Sequence, residues 1–207
     1  MSTEFEFQYI IDDVSAMKNM LLNAGFQPLC EFKQSVSNYY IYDQEKCIGL
    51  VRARNSGDKN CITYKYFRDA HNDEVEIETG STLPILESFI EKICPDSRKS
   101  KVEKYRQVWT SSNKLINEIV IDKWPGLPEI LEIDCKTEKA LIEVVEKLSL
   151  TANKTFSKGA FEIYEDLFGI RHDTLYSISL RFSNIKETLF PYLVKNHKLF
   201  LEHCKIK

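Results

Sequence analysis

The sequence predicts an α+β protein built on a curved or closed sheet of about eight strands, charged on its concave face and covered by helices on its outer face. Three observations predict it. Charged residues stand two apart in one short segment after another: Glu4-Phe5-Glu6, Arg52-Ala53-Arg54, Thr63-Tyr64-Lys65, Glu74-Val75-Glu76-Ile77-Glu78, Lys104-Tyr105-Arg106 and Glu132-Ile133-Asp134. Side chains at i and i+2 share one face of a strand, so each pair points one way. Apolar or aromatic residues lie between most of them, which gives the same strands a second face able to pack. Finally, segments of helical spacing occur singly between the strand-like ones. A concavity lined with both signs would hold a polyanion together with the cations that neutralise it.

The elements follow in order. Residues 4–11 alternate and then turn apolar, as a first strand. Asp12, Asp13 or Ser15 can cap a helix whose apolar positions are Met17, Met20, Leu21 and Ala24, with Gly25 just past its end. Residues 27–33 and 35–43 read as two strands. Residues 47–54 and 61–67 form a strand pair around Asn55–Asn60, whose composition is that of a hairpin turn. Residues 73–79 make a strand with three carboxylates on one face. Leu83, Leu86, Phe89, Ile90 and Ile93 mark a second helix over 82–93, and Pro95 ends it. Residues 101–110 and 115–123 form another hairpin, and Trp124-Pro125-Gly126-Leu127-Pro128 is a stiff bent connector to a strand over 129–135. Thr137 can cap a third helix over 137–148. Residues 151–160 are loop-like and 161–170 a short helix. From Arg171 onward the aromatic and apolar content persists, which predicts a helical extension packed on the body.

Composition narrows the classes of function. The chain has 207 residues, enough for one domain with a real core, and 43% of them are hydrophobic. Its net charge of −3 gives no global basic field to recruit nucleic acid, so no nucleic-acid partner is expected. The N-terminal residues lack the basic and apolar regions of a signal peptide, and no run of 18 apolar residues exists to span a membrane. The six cysteines show no C-x-x-C spacing and read as reduced, mostly buried thiols, which fits a cytoplasmic protein.

These residues, in this order, resemble the CYTH superfamily, also called triphosphate tunnel metalloenzymes, over roughly residues 3–170. The family's opening E-x-E-x-K strand is matched by Glu4-Phe5-Glu6-Phe7-Gln8, its R-x-R by Arg52-Ala53-Arg54 and its T-x-K by Thr63-Tyr64-Lys65. Glu76-Ile77-Glu78, Lys104-Tyr105-Arg106, Asp122 and Glu132-Ile133-Asp134 match the later acidic and basic elements, and Ile163–Ile170 is similar to the family's ending. One pair alone is weak evidence; the ordered set is specific. Two departures stand out. The first-strand lysine, a cation the family uses on substrate phosphate, is Gln8 here, and the closing acid is Asp134 where glutamate is usual.

The resemblance implies a closed or nearly closed antiparallel β-barrel over residues 1–170, with 171–207 as the extension. It implies an enzyme acting on a small-molecule triphosphate: a divalent-metal-dependent phosphohydrolase first, a class IV adenylate cyclase second. The loss of the lysine at position 8 motivates a third reading, a phosphate-binding module with weakened catalysis. Arg52, Arg54, Lys65, Lys104, Arg106 and, by a looser match, Lys158 would bind phosphate. Guanidinium forks suit phosphate oxygens, and lysine acts as a movable point charge. Glu4, Glu6, Glu132 and Asp134 would hold Mg²⁺ or Mn²⁺, since all-oxygen ligation selects a hard ion. Glu4, Glu6, Lys65 and Arg106 would act in catalysis, and Glu76, Glu78 and Asp122 would orient the cations. The extension could cap a tunnel mouth, join two copies as a homodimer or serve a partner.

Overall fold

Eight strands form one antiparallel sheet in the computed structural model, which describes residues 5–67, 72–157 and 159–204. They are β1 (Phe5–Ile11), β2 (Gln27–Asp43), β3 (Lys46–Ser56), β4 (Lys59–Phe67), β5 (Asn72–Thr79), β6 (Arg98–Thr110), β7 (Ile116–Lys123) and β8 (Glu129–Cys135). Their order is β1-β8-β7-β6-β2-β3-β4-β5, so β1 and β5 are the edges and no ladder among the described residues closes the sheet between them. The sheet nevertheless curls. Six strand spacings, roughly 29 Å if laid flat, separate β1 from β4, yet Lys65 on β4 perturbs the carboxyl of Glu6 on β1 electrostatically. Of the two expected forms, the nearly closed barrel is the one present.

Residues 27–43 run as one 17-residue strand rather than two. The polar stretch Lys33-Gln34-Ser35 has the composition of a break, but Gln34 is paired on both sides, to Ser56 and to Lys104. Its buried side chain donates from Nε2 to Ser56 Oγ at 2.8 Å, so the polarity is satisfied within the sheet. The turn between β3 and β4 is also shorter than expected, since pairing reaches Ser56 and Lys59.

Helices α1 (Val14–Asn23) and α3 (Glu138–Lys147) cover the outer face of β1, β8 and β7. Asp13 accepts from the amides of Ser15 and Ala16 at 2.9 and 3.0 Å to cap α1, and Thr137 caps α3 by accepting from Ala140. Met17, Leu21, Leu141 and Val144 bury Tyr9, Ile11, Ile119, Ile121, Leu131 and Ile133. Helix α2 (Leu83–Ile93) does the same for Tyr39, Val51 and Ala53 on β2 and β3 through Leu86 and Ile90.

A third core lies on the opposite, concave face. Ile130 alternates with Leu131, and Val102 shares the parity of Lys104 and Arg106; both pack under α4 (Ala160–Phe168) and the segments that follow it. These are α5 (His172–Leu175), α6 (Ile185–Leu189), a 3₁₀ turn at Phe190–Tyr192 and α7 (His197–His203). Leu175, Leu180, Ile185, Leu189 and Phe200 are all buried there, and the backbone of Leu180 bonds to that of Lys101 and Glu103 on β6. Thus α1 to α3 lie outside the curl, while α4 to α7 close over one end of its concave face.

No helix among the described residues is long and apolar enough to cross a membrane. All six cysteines are free, as expected, but only Cys61 and Cys135 are buried; Cys30 is exposed and the rest are intermediate.

Candidate functional site

Strand register assembles the charged face into rows. On one side, Arg52 stands opposite Thr63, which stands opposite Glu76; Lys65 stands opposite Glu74. Because the sheet twists, side chains also reach diagonally. One nitrogen of Arg54, Nη2, donates to both oxygens of Glu76 at 2.8 and 2.7 Å, and Arg52 Nη2 donates to Thr63 Oγ1 and Glu74 at 3.3 Å each. Thr63 in turn donates to Glu76 at 2.7 Å, and Lys65 Nζ lies 2.8 Å from Glu74. Burial, and then the neighbouring charge of Arg54, lower the pKa of Arg52 against the pull of Glu74 and Glu76. Its Nε has no hydrogen-bond partner among the described residues. Burial alone would raise the Glu74 carboxyl, but Lys65, Arg52 and Arg54 outweigh it and hold it below its ordinary value. Each basic side chain here is balanced by a carboxylate on the edge strand β5.

The facing side is more deeply buried. Asp122, 1% exposed, accepts from Lys104 Nζ at 2.6 Å and from Arg106 Nε and Nη2 at 2.8 and 2.7 Å. Arg106 also donates to Glu118 at 2.7 Å and to Glu132 at 3.0 Å. Burial opposes the charge of Arg106, but Glu132, Asp122 and Glu118 outweigh it and raise its pKa. Lys104 is lowered by burial and then by Arg106, with Asp122 and Glu132 acting against them. On β1, Gln8 Nε2 donates to Glu6 at 3.0 Å and to its cross-strand neighbour Glu132 at 2.8 Å. Asp134, opposite Glu6, accepts from Asn117 at 3.1 Å. Burial, then Glu132 and Asp134, push the Glu6 carboxyl up to about 7, with Gln8 and Lys65 offsetting part of the rise. Glu6 still meets solvent, so its neighbours crowd it without sealing it in.

The fold therefore brings Arg52, Arg54, Lys65 and Glu76 together on one side, and Glu6, Lys104, Arg106, Asp122, Glu132 and Asp134 on the other. Glu78 stands apart: it pairs with Lys59 at 2.9 Å near the hairpin end, both side chains largely exposed, and Arg54 turns to Glu76 instead. Glu4 and Lys158 lie outside the described residues. Two contributors lie outside the expected site residues, although Glu74 belongs to the charged strand that the sequence shows. Glu74 takes Arg52 and Lys65, and Glu118 takes Arg106. Glu118 was legible only by stepping two residues at a time along β7 from Asp122, across the apolar Val120. Among the described residues, no three His, Cys, Asp or Glu side chains converge closely enough to hold a metal ion as they stand.

No protein-family model matches the chain, and no curated protein matches it in sequence. Solved structures do match in fold. The PH1012 protein of Pyrococcus horikoshii OT3 superposes with a TM-score of 0.59 at 17% identity, over 73% of this chain and 94% of its own. A candidate adenylate cyclase from Vibrio parahaemolyticus gives 0.54 at 17% identity, over 76% and 95%. A candidate adenylyl cyclase from Hippeastrum, described as having a dominant triphosphatase activity, gives 0.51 at 12% identity, over 80% and 94%. The chain shares its fold with these structures.

Proposed function

We propose that the chain is a divalent-cation-dependent phosphohydrolase that takes a triphosphorylated small molecule into the curl of its sheet. The observation that carries this reading is that Lys65 on β4 lies near enough to Glu6 on β1 to lower its carboxyl pKa. It supports an acidic cluster and an arginine strand that share one concavity rather than lying on separate surfaces.

A polyanion entering a low-dielectric site needs compensating cations already in place. Those cations would be costly to keep buried alone, which explains the web of Glu74, Glu76, Glu118 and Asp122 around them. On binding, Arg52, Arg54 and Lys65 would exchange carboxylate oxygens for phosphate oxygens, a replacement of like by like. Asp122 keeps Arg106 and Lys104 aimed while Arg106 reaches the phosphate chain.

The acidic cluster suits a hard divalent ion by its chemistry. Glu6, Glu132 and Asp134 offer only oxygen, and the buried amide oxygen of Gln8 beside them has no partner among the described residues. By turning toward one another from their present positions, these three carboxylates would hold Mg²⁺ or Mn²⁺. When bound, such an ion lowers the charge on phosphate oxygens. Water then adds to the terminal phosphorus, its proton passing to a lining carboxylate, and the bridging P–O bond breaks. Lys65 and Arg106 donate hydrogen bonds to the departing oxygen.

The triphosphatase activity described for the Hippeastrum protein favours hydrolysis over cyclisation as the first assay. Tripolyphosphate, thiamine triphosphate and ATP should each be incubated with Mg²⁺ or Mn²⁺ and the products identified by mass spectrometry, beside a Glu6→Ala control. Phosphate release above the control from any of the three supports the proposal. Cyclic AMP and pyrophosphate from ATP would move the chain to the cyclases. Tight triphosphate binding without turnover would make it a binding module.

A further inference from the structure

Gln8 occupies the position at which the arrangement of charges would favour a cation, and its two amide hydrogens are both spent on carboxylates, Glu6 and Glu132. Those bonds hold together two groups that would otherwise repel. The other end of the same amide is unresolved chemically. Gln8 is 5% exposed, and its Oε1 is buried with no hydrogen-bond partner among the described residues. An unpaired buried acceptor is destabilising. Turning the amide over would aim its oxygen at the two carboxyl groups and take its hydrogens away from those partners.

A bound divalent ion removes the conflict. Glu6 and Glu132 would then give their oxygens to the ion and no longer need the amide hydrogens. The amide is free to turn about its last side-chain bond and offer Oε1, a ligand of the hard-oxygen type that such ions accept. The rest of the residue stays put. Gln8 N donates to the Phe156 carbonyl at 2.9 Å, and Phe156 N donates to the Gln8 carbonyl at 3.0 Å.

We propose that Gln8 is a ligand of the divalent ion through Oε1, so that this cluster takes up its ion before any phosphate arrives. A lysine there would place a positive charge against the incoming ion, and binding would wait for the polyphosphate to offset it. The inference rests on reading the acidic cluster as a divalent-ion site.

The test is calorimetric titration of the full chain with Mn²⁺ alone in phosphate-free buffer, for wild type, Gln8→Leu, Gln8→Glu and Gln8→Lys, each first shown to melt cooperatively. Wild type is expected to bind one ion, Gln8→Glu to bind it as tightly or more so, and Gln8→Leu to bind it roughly tenfold or more weakly. Gln8→Lys should show no binding. If Gln8 merely clamps the carboxylates, Gln8→Leu frees them, and Mn²⁺ affinity equal to or above that of wild type overturns the proposal. So does an absence of Mn²⁺ binding by the wild type. Should Gln8→Leu fail to fold, the side-chain amide signals of ¹⁵N-labelled wild type decide: a change on adding Mg²⁺ supports the turn of the amide, and unchanged signals refute it. A chain that shows this Mn²⁺ pattern but hydrolyses no triphosphate loses the hydrolase reading and keeps this one. A hydrolase whose Mn²⁺ affinity ignores residue 8 does the reverse.

Discussion

Asp122→Asn tests the buried half of the site with the fewest changes in shape. The carboxylate is 1% exposed and accepts three charge-assisted hydrogen bonds, at 2.6, 2.8 and 2.7 Å, from Lys104 and Arg106. Asparagine can accept from one cation, but its own N–H₂ must then face the other. Arg106 retains Glu118 and Glu132, so the orphaned group is Lys104, whose side chain is 9% exposed. Removing one partner of a buried pair costs about 3–5 kcal/mol. At about 2–4 °C per kcal/mol for a chain of this size, the variant should melt roughly 6–20 °C below wild type at pH 7. Adding Lys104→Met removes the stranded charge and should recover part of the loss, a coupling that a double-mutant cycle reads directly. The effect also has a definite pH dependence. Burial alone would raise the Asp122 carboxyl, but Lys104 and Arg106 hold it below its ordinary value. Its contribution is therefore fully present above the usual carboxylate range and is lost as pH falls through that lowered value, so the gap between wild type and variant should narrow in acid. Thermal melts followed by circular dichroism at pH 7 and at acidic pH measure both. A melting point within about 2 °C of wild type at neutral pH, or a gap that does not shrink in acid, would refute the reasoning.

Two further outcomes separate structure from function. Arg54→Met removes a half-exposed pair with Glu76 and should change stability by less than about 1 kcal/mol. It should raise KM for the triphosphate roughly tenfold or more, since hydrogen bonds to a charged group are worth about 1.5–3 kcal/mol; equal KM values would remove Arg54 from the phosphate site. Gly126→Ala acts at the connector before β8, where φ is +77° and a new Cβ would stand 2.6 Å from Phe200 Cε2 on α7. Left-handed strain and overpacking together should cost roughly 2–5 kcal/mol; an unchanged melting point would mean that α7 does not pack there.

How far the sequence reveals this molecule depends on the period of each signal. Arg52, Arg54, Lys65, Arg106 and Glu132 are legible because alternation in a strand puts every second side chain on one face, whatever the tertiary structure does next. The caps at Asp13 and Thr137 are legible because they depend only on neighbouring amides. The unbroken β2 is not: Lys33-Gln34-Ser35 reads as a turn until Gln34 is seen between two paired strands. Nor is the cover of α4 to α7 over the concave face. The same face of β8 carries Glu132 and Asp134 at one end and Ile130 at the other, so the change from charged to apolar runs along a strand, where local patterns average it away. Gln8 marks the reverse case. Its identity is plain in the sequence, but its stranded oxygen exists only once Glu6 and Glu132 have claimed the amide hydrogens.

The unbroken β2 has a consequence for how the protein can change. It lies between β6 and β3, and its neighbours on either side read their alignment from one uninterrupted backbone. An insertion of a single residue near Gln34 would put residues 27–33 out of phase with the stretch that pairs with β3, so that one of the two would lose its alignment with β6. Length variation should be confined to hairpin tips such as Gly57-Asp58, where an added residue leaves the phase of the spine untouched.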